Sequence, residues 1–331
     1  MRKPVVVVAD PLDPETLKDL HLCEVRMCDG RDTVALHAAL READALLIRS
    51  GTRVDEAALA AAPRLRVVAR AGVGLDNVDV VAATRHGVLV ANAPLSNVLS
   101  VAELTIGLIL ALMRHVVPAG SALRAGRWER TRHQGIELAG RTVGIVGLGH
   151  VGTLVAQRLA AFKVEVIAYD PYVPQSHAQS VGAALTALDE LMGRSDVVTV
   201  HLPKNSVTTG IIGERELRLA KPSMLLVNTA RGGIVDETAL AVALKEERLA
   251  GAALDVFEIE PAVGNPLLDL PNVLTTPHLG ASTREAQGRA GREAVSAVLR
   301  VLVGERPEHA VNMAALDPGT TASRPTGPGL P

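Results

Sequence analysis

Aromatic side chains are almost missing from this chain: two phenylalanines, two tyrosines and one tryptophan in 331 residues. An interior must therefore be filled by Val, Leu, Ile and Ala, and β-branched runs of that kind suit strands buried on both faces of a parallel sheet. Cysteine is just as scarce. Cys23 and Cys28 have no second pair to complete a zinc site and lack the CxxC spacing of a redox centre, so no metal is expected. Both read as inert thiols of a cytoplasmic protein. Long apolar runs are absent too: Val5 to Ala9 stops at Asp10, too early for a signal peptide, and Leu104 to Met113 is too short to cross a bilayer. No membrane association is expected. Nor does one sign of charge dominate, since 34 basic and 36 acidic residues are mixed along the chain. Without a broad electropositive surface, nucleic acid is not expected as a partner.

What is present is alternation. Val5 to Ala9, Ala45 to Ile48 and Leu65 to Ala69 are short apolar runs, each followed by a helical pattern: Glu15 to Leu20, Glu56 to Ala62 and Val78 to Arg85. This is the rhythm of βαβ units and a parallel sheet. The run from Asn97 to Val117 is long and apolar, and Ser100-x-x-Glu103 within it has the form of a capping box. It is expected to be a buried helix linking two domains. After a polar stretch the alternation restarts, with strands expected at Thr142 to Val146, Val164 to Tyr169, Val197 to His201, Met224 to Asn228, Gly251 to Val256 and Val273 to Thr276. That count predicts a second, fuller doubly wound sheet, giving an α/β protein of two Rossmann-like domains. Ser282 to Glu285 repeats the capping-box pattern and opens a helix to about Leu302. The tail from Asp317, rich in Pro, Gly, Thr and Ser, is expected to be disordered.

The strongest local signal is Gly147-Leu-Gly149-His-Val-Gly152, a GxGxxG between a strand and a helix. Gly147 permits the tight turn, Gly149 admits a pyrophosphate to the backbone, and Gly152 lets the helix pack on the strand. Free amides and the positive dipole end of that helix suit phosphates. Asp170, 18 residues beyond Gly152 at the end of the next strand, can accept hydrogen bonds from both ribose hydroxyls and would repel a 2′-phosphate. The expected cofactor is NAD.

Hydride transfer at a secondary alcohol needs a base for the hydroxyl proton and a cation for a neighbouring carboxylate. His278, after the strand ending at Thr276, supplies an imidazole. Glu260, in the turn after the preceding strand, can bond the other ring nitrogen, fix the tautomer and stabilise the charged ring. Arg231, after the strand ending at Asn228, offers a fork that lysine cannot copy. Each alone has a bland alternative as a capping histidine, an ion-pair arginine or a Glu-Pro turn; at successive strand ends they read as one site. In the first half, Arg70-Ala-Gly72-Val73-Gly74 follows a strand but lacks the third glycine of a dinucleotide loop. It is read as a backbone nest for the substrate carboxylate, with a plain structural turn as the alternative.

These residues resemble the D-isomer-specific 2-hydroxyacid dehydrogenases, and within them the branch that oxidises 3-phosphoglycerate. The similar stretches are Arg70 to Val80, Ala102 to Thr105, Gly126 to Arg130, Gly147 to Gly152, Asn228 to Glu237, Ala252 to Phe257 with Glu260-Pro261, and Pro277 to Gln287, within a resemblance covering about residues 4 to 312. The resemblance implies that both chain ends form a flavodoxin-like substrate domain, 1–96 with 283–316, into which an NAD domain, 97–282, is inserted. It gives the catalytic roles to Arg231, Glu260 and His278. Cofactor contacts implied are Gly147, Gly149, His150, Val151, Gly152, Asp170, Leu202, Thr229, Ala230, Asp255 toward the carboxamide, Gly280 and Ala281. Substrate contacts implied are Ser50, Val73, Gly74, Asn97, Arg231 and His278, with Arg49 and Arg130 on a phosphate. A homodimer joined through the NAD domains, by the long helix and the arm around Trp128, is also implied.

Two departures bear on the substrate. Gly51 stands where the family more often has Ala, and Leu95 where a smaller or polar residue is common, so hydroxypyruvate, glyoxylate or a phosphonate such as phosphonopyruvate stay open as substrates. An NAD-sensing co-repressor of the same fold is the alternative of another class. The chain stops short of the C-terminal serine-sensing extension of many phosphoglycerate enzymes, so feedback by serine through such a domain is not expected.

Overall fold

The computed structural model describes residues 2–316 and divides into two compact units, Met1–Asn97 with Arg284–Pro331, and Val98–Thr283. The segment from Asp317, expected to be disordered, lies outside the described residues.

In the first unit, β1 (Val5–Val8), β2 (Glu24–Met27), β3 (Ala45–Ile48), β4 (Val67–Arg70) and β5 (Leu89–Ala91) form an all-parallel sheet in the order β2-β1-β3-β4-β5. This is the flavodoxin-like order, whose strand sequence reverses between β1 and β3. Alternation along β1 explains its unbroken apolar run. Val5 and Val7 enter one core with Leu36, Leu40 and Ile48, while Val6 and Val8 enter another with Ala294, Val295 and Val298 of the helix Arg284–Leu302. The returning chain end thus covers the second face. Each of these fully buried valines contributes about 1.5–3 kcal/mol by leaving water.

The second unit carries β6 (Thr142–Val146), β7 (Glu165–Tyr169), β8 (Ala183–Leu185), β9 (Val197–Val200), β10 (Leu225–Asn228), β11 (Gly251–Leu254) and β12 (Val273–Thr275). They are again parallel, in the order β12-β11-β10-β9-β6-β7-β8. The order turns back between β6 and β9, so the chain leaving β6 and the chain leaving β9 open a crevice where α/β sheets bind ligands. The helices Val98–Met113 and His150–Ala160 pack together on one face.

Some elements differ from expectation. The Ser100 capping box is not formed: the helix begins at Val98, and the Ser100 hydroxyl meets Thr283 Oγ1 at 2.8 Å. The helix also stops at Met113 instead of running to Val117. His115, with φ of 51°, turns the chain into a second helix, Val116–Arg124, bent 63° from the first. Among the described residues no single helix is long and apolar enough to cross a membrane. β2, β5, β8 and the helix Thr33–Leu40 lacked a sequence signal. β2 is an edge strand of charged and exposed residues, and β5 and β8 hold three residues each.

Candidate active site

The Gly147 turn occupies the crevice of the second unit. Gly147 has φ of +96°, which side chains with a Cβ rarely adopt, and a Cβ there would lie 2.7 Å from the His201 carbonyl oxygen and 2.9 Å from Leu202. A Cβ on Gly152 would lie 2.1 Å from the Gly147 carbonyl oxygen, so this glycine is the contact between helix and turn. Gly149 is different: a Cβ there would meet open space. Its use is to leave the backbone bare at the end of the helix His150–Ala160, where no side chain caps the first amides. Asp170 closes the loop, its Oδ2 accepting from the Leu148 amide at 2.9 Å and its Oδ1 from the Tyr172 amide at 3.0 Å. A carboxylate oxygen takes a second donor, so both remain available to ribose hydroxyls. Bare helix amides, an open glycine and an acceptor at the next strand end fit a dinucleotide without a 2′-phosphate.

His201 carried no weight in the sequence and stands at this crevice. Burial lowers its pKa to about 3, and Nε2 shares a hydrogen bond with Thr199 Oγ1 at 3.0 Å. It is therefore neutral across physiological pH and leaves the helix end as the positive element nearby. Its signal would have been its place directly after a strand, beside the glycine loop.

The three catalytic candidates leave β10, β11 and β12, adjacent strands of the same sheet. Asn228 shapes the first loop, accepting from the Ala230 amide at 3.0 Å and donating to the Arg231 carbonyl at 3.0 Å. Gly232 then brings that loop onto the next one, because a Cβ there would sit 1.9 Å from the Phe257 carbonyl. Glu260 bridges the next two: Oε1 accepts from the Phe257 amide at 3.0 Å, and Oε2 lies 2.7 Å from His278 Nδ1. With an ionised carboxylate as partner Nδ1 donates, which leaves Nε2 unprotonated in the neutral ring. Burial pushes the Glu260 carboxyl up, but the bonds from His278 and Phe257 and the charges of His278 and Arg231 outweigh it, holding it below the ordinary glutamate value.

That shift has a sign that can be measured. A carboxyl lowered in the folded state adds stability at pH above its unfolded value, and the gain is lost as pH falls through the folded value. Glu260→Gln is expected to lower the melting temperature at neutral pH, and the gap to wild type is expected to close only in acid below the ordinary glutamate range. A gap that closes near neutrality in a pH series of thermal melts would break the pairing.

Asp255, expected to face a carboxamide, also anchors the chain around it. It is fully buried, and it accepts from Thr276 Oγ1 at 2.5 Å and from the amides of Leu279 at 2.7 Å and Gly280 at 2.9 Å. Its own carbonyl accepts from the His278 amide at 2.8 Å. Four bonds therefore fix the loop that holds His278 at φ of +54°, a conformation a histidine rarely adopts. Thr229 also turns inward, its hydroxyl 2.8 Å from Thr105 Oγ1. His150 is exposed, Val151 packs on the core, and Ala230 and Ala281 are half-buried in the loops that follow β10 and β12.

In the first unit, neither Gly72 nor Gly74 has positive φ, so the 70–74 loop is not a nest of alternating handedness. The amides of Val73 and Gly74 nonetheless donate to nothing among the described residues, while the Val73 carbonyl is held by Asn92 Nδ2 at 2.7 Å. Arg49 and Asn97 are half-buried, and Ser50 is exposed. In the second unit, Arg130 is exposed. No cluster of three metal-ligating side chains occurs among the described residues.

Residues 106–280 match the family model of the D-isomer specific 2-hydroxyacid dehydrogenase, NAD binding domain. The D-3-phosphoglycerate dehydrogenase of Mycobacterium bovis is 52% identical over 95% of this chain and 60% of its own length. The chain thus spans about three fifths of the curated relative. Among solved structures, a Thermus thermophilus protein superposes with a TM-score of 0.85 at 33% identity, covering 93% of this chain and 99% of that one. The D-lactate dehydrogenase of Aquifex aeolicus, complexed with NAD and lactic acid, gives 0.81 at 28% identity over 91% of this chain and 96% of its own.

Proposed function

Because the chain belongs to the D-isomer specific 2-hydroxyacid dehydrogenases, we propose that it oxidises D-3-phosphoglycerate reversibly to 3-phosphooxypyruvate with NAD, the reaction class that opens serine synthesis. The observation that carries this reading is the 2.7 Å His278–Glu260 pair with the Arg231 charge beside it, on the sheet that also bears the Gly147 turn. NAD, when bound, supplies the hydride acceptor. Arg231 holds the substrate carboxylate in a two-pronged contact and polarises C2. His278 accepts the hydroxyl proton at Nε2, the nitrogen its partner leaves free, and Glu260 balances the charge the ring acquires. In the reverse direction the same ring returns the proton.

The amides of Val73 and Gly74, with Ser50 and Asn97, are assigned to the acid, and the guanidiniums of Arg49 and Arg130 to its phosphate. Support for a phosphate comes from the identity with phosphoglycerate-acting relatives and from Arg49, whose guanidinium has no hydrogen bond or ion pair among the described residues. The protein is further read as a cytoplasmic homodimer. Exposed Val116, Val117, Leu123, Trp128 and Ile136 give the second unit an apolar surface suited to self-association, and both cysteines are free thiols.

A panel of phosphorylated and plain 2-hydroxy and 2-oxo acids, assayed with wild type, Arg49→Ala and Arg130→Ala, tests the substrate. Phosphoglycerate is expected to have the highest kcat/KM, and Arg49→Ala is expected to cut it by about 100-fold through loss of charge-assisted bonds. If plain acids such as hydroxypyruvate or glyoxylate are preferred and both variants are unaffected, the phosphoglycerate reading falls.

A further inference from the structure

The switch point of the first sheet carries a clamp that the chemistry above leaves unused. The chain leaves β1 into Asp10 and β3 into Arg49, the two strands between which the order reverses. Asp10 is only 7% exposed, and its Oδ2 accepts from the Arg49 amide at 2.6 Å and the Thr52 amide at 3.1 Å. From the carbonyl side, Asn77 Nδ2 donates to the same two residues, at 2.7 Å to Arg49 and 2.6 Å to Thr52. Asn77 Oδ1 in turn accepts from Arg70 Nε at 2.9 Å. The loop Arg49–Thr52 is therefore gripped at both ends by both kinds of backbone group.

Gly51 completes the arrangement. A Cβ at this position would lie 2.5 Å from Asp10 Oδ1, while the glycine's own φ lies outside the left-handed region. Glycine leaves this carboxylate uncrowded and answers no backbone angle; a methyl here would press on the end of the Asp10 side chain. A buried carboxylate is costly to keep in a loop anchor unless its bonds fix something of value, and the side chain at the start of this loop is a guanidinium with no hydrogen bond or ion pair among the described residues.

We propose that Asp10 is a positioning residue for Arg49, acting through the backbone of the Arg49–Thr52 loop. This rests on the reading that Arg49 holds the distal anion of the substrate. Asp10 presets the guanidinium, so affinity for a phosphorylated acid depends on it while proton and hydride transfer do not.

The test is steady-state kinetics on the full chain, with 3-phosphoglycerate and D-glycerate as substrates and thermal melts alongside. Asp10→Ala is expected to raise KM for 3-phosphoglycerate about 10-fold, the cost of two backbone amides losing a buried partner, with kcat within about 2-fold and KM for D-glycerate unchanged. Asp10→Asn keeps an oxygen for both amides and is expected to stay within about 3-fold of wild type. Gly51→Ala presses on the carboxylate and is expected to raise KM for 3-phosphoglycerate in the same direction as Asp10→Ala but by less, and to add nothing in the Asp10→Ala background. It supplies the readout should Asp10→Ala fail to fold.

An unchanged KM for 3-phosphoglycerate in Asp10→Ala, an equal rise for both acids, or independent addition of the two substitutions overturns the proposal. Arg49→Ala separates the two ideas. If it raises KM for 3-phosphoglycerate while Asp10→Ala does not, the clamp alone is wrong; if it too has no effect, the anion reading and the clamp fall together.

Discussion

Replacing His278 with alanine is expected to lower kcat by about 10²- to 10⁴-fold while leaving NAD affinity within about 2-fold, because only the proton acceptor is removed. The structure makes this a demanding test. His278 is tied to the rest of the site by one side-chain bond, to Glu260, while the loop around it is held by Asp255 through backbone amides and Thr276. Truncating the ring therefore leaves the loop anchored. A fall in activity accompanied by lost NAD binding would point to a collapsed loop instead, and full activity in His278→Ala would end the assignment. Glu260→Gln belongs to the same comparison. It keeps a partner for Nδ1 but removes the negative charge that the carboxyl, held below its ordinary value, supplies across the working pH range. Its effect on kcat is expected to lie between wild type and His278→Ala, since the ring retains its tautomer and loses only the counter-charge. Stopped-flow measurement of the hydride step, with NAD binding followed separately by fluorescence, distinguishes these outcomes.

The contrast between what was and was not legible in the sequence follows from how each residue acts. Gly147 and Gly152 are readable because the turn and the helix contact exclude a Cβ, so the residue type itself records the geometry. Arg231, Glu260 and His278 are readable as a set because each follows a strand of apolar residues and the fold brings adjacent strand ends together. Asp255 is a harder case. An aspartate after a strand suggests a ligand contact, but that its carboxylate also holds the 276–280 loop depends on the path of that loop, which no local pattern encodes. Asp10 and Asn77 were silent for the same reason: their partners lie about 40 and 25 residues away in sequence. Gly51 registered only as a departure from family habit, and its meaning appears once Asp10 Oδ1 is seen in the space a Cβ would take. The Ser100 pattern misled because two further residues had already entered the helix before it, and its hydroxyl found Thr283 across the fold.

Arg231→Ala is expected to reduce kcat/KM for the natural acid by about 10²- to 10⁴-fold, the loss of two charge-assisted hydrogen bonds at about 1.5–3 kcal/mol each. Most of the loss is expected in KM, with a smaller part in kcat, because the guanidinium both seats the carboxylate and lowers the Glu260 carboxyl that supports His278. Arg231→Lys is expected to recover little, since an ammonium restores the charge but not the fork. The loop itself should survive either change: the bond from the Arg231 guanidinium to the Ala230 carbonyl, 2.8 Å, is lost, but Asn228 bonds the backbone from within and Gly232 packs it on Phe257. NAD binding and thermal midpoint are therefore expected to stay near wild type. The decisive comparison uses an amide analogue of the substrate, which lacks the carboxylate charge. Wild type is expected to handle it as poorly as Arg231→Ala handles the acid, and the substitution is expected to cost little more with the amide, because the interaction it removes is already gone. If Arg231→Ala penalised acid and amide equally, the arginine would not be reading the carboxylate, and the cation assigned to C2 chemistry would have to be sought elsewhere in the chain.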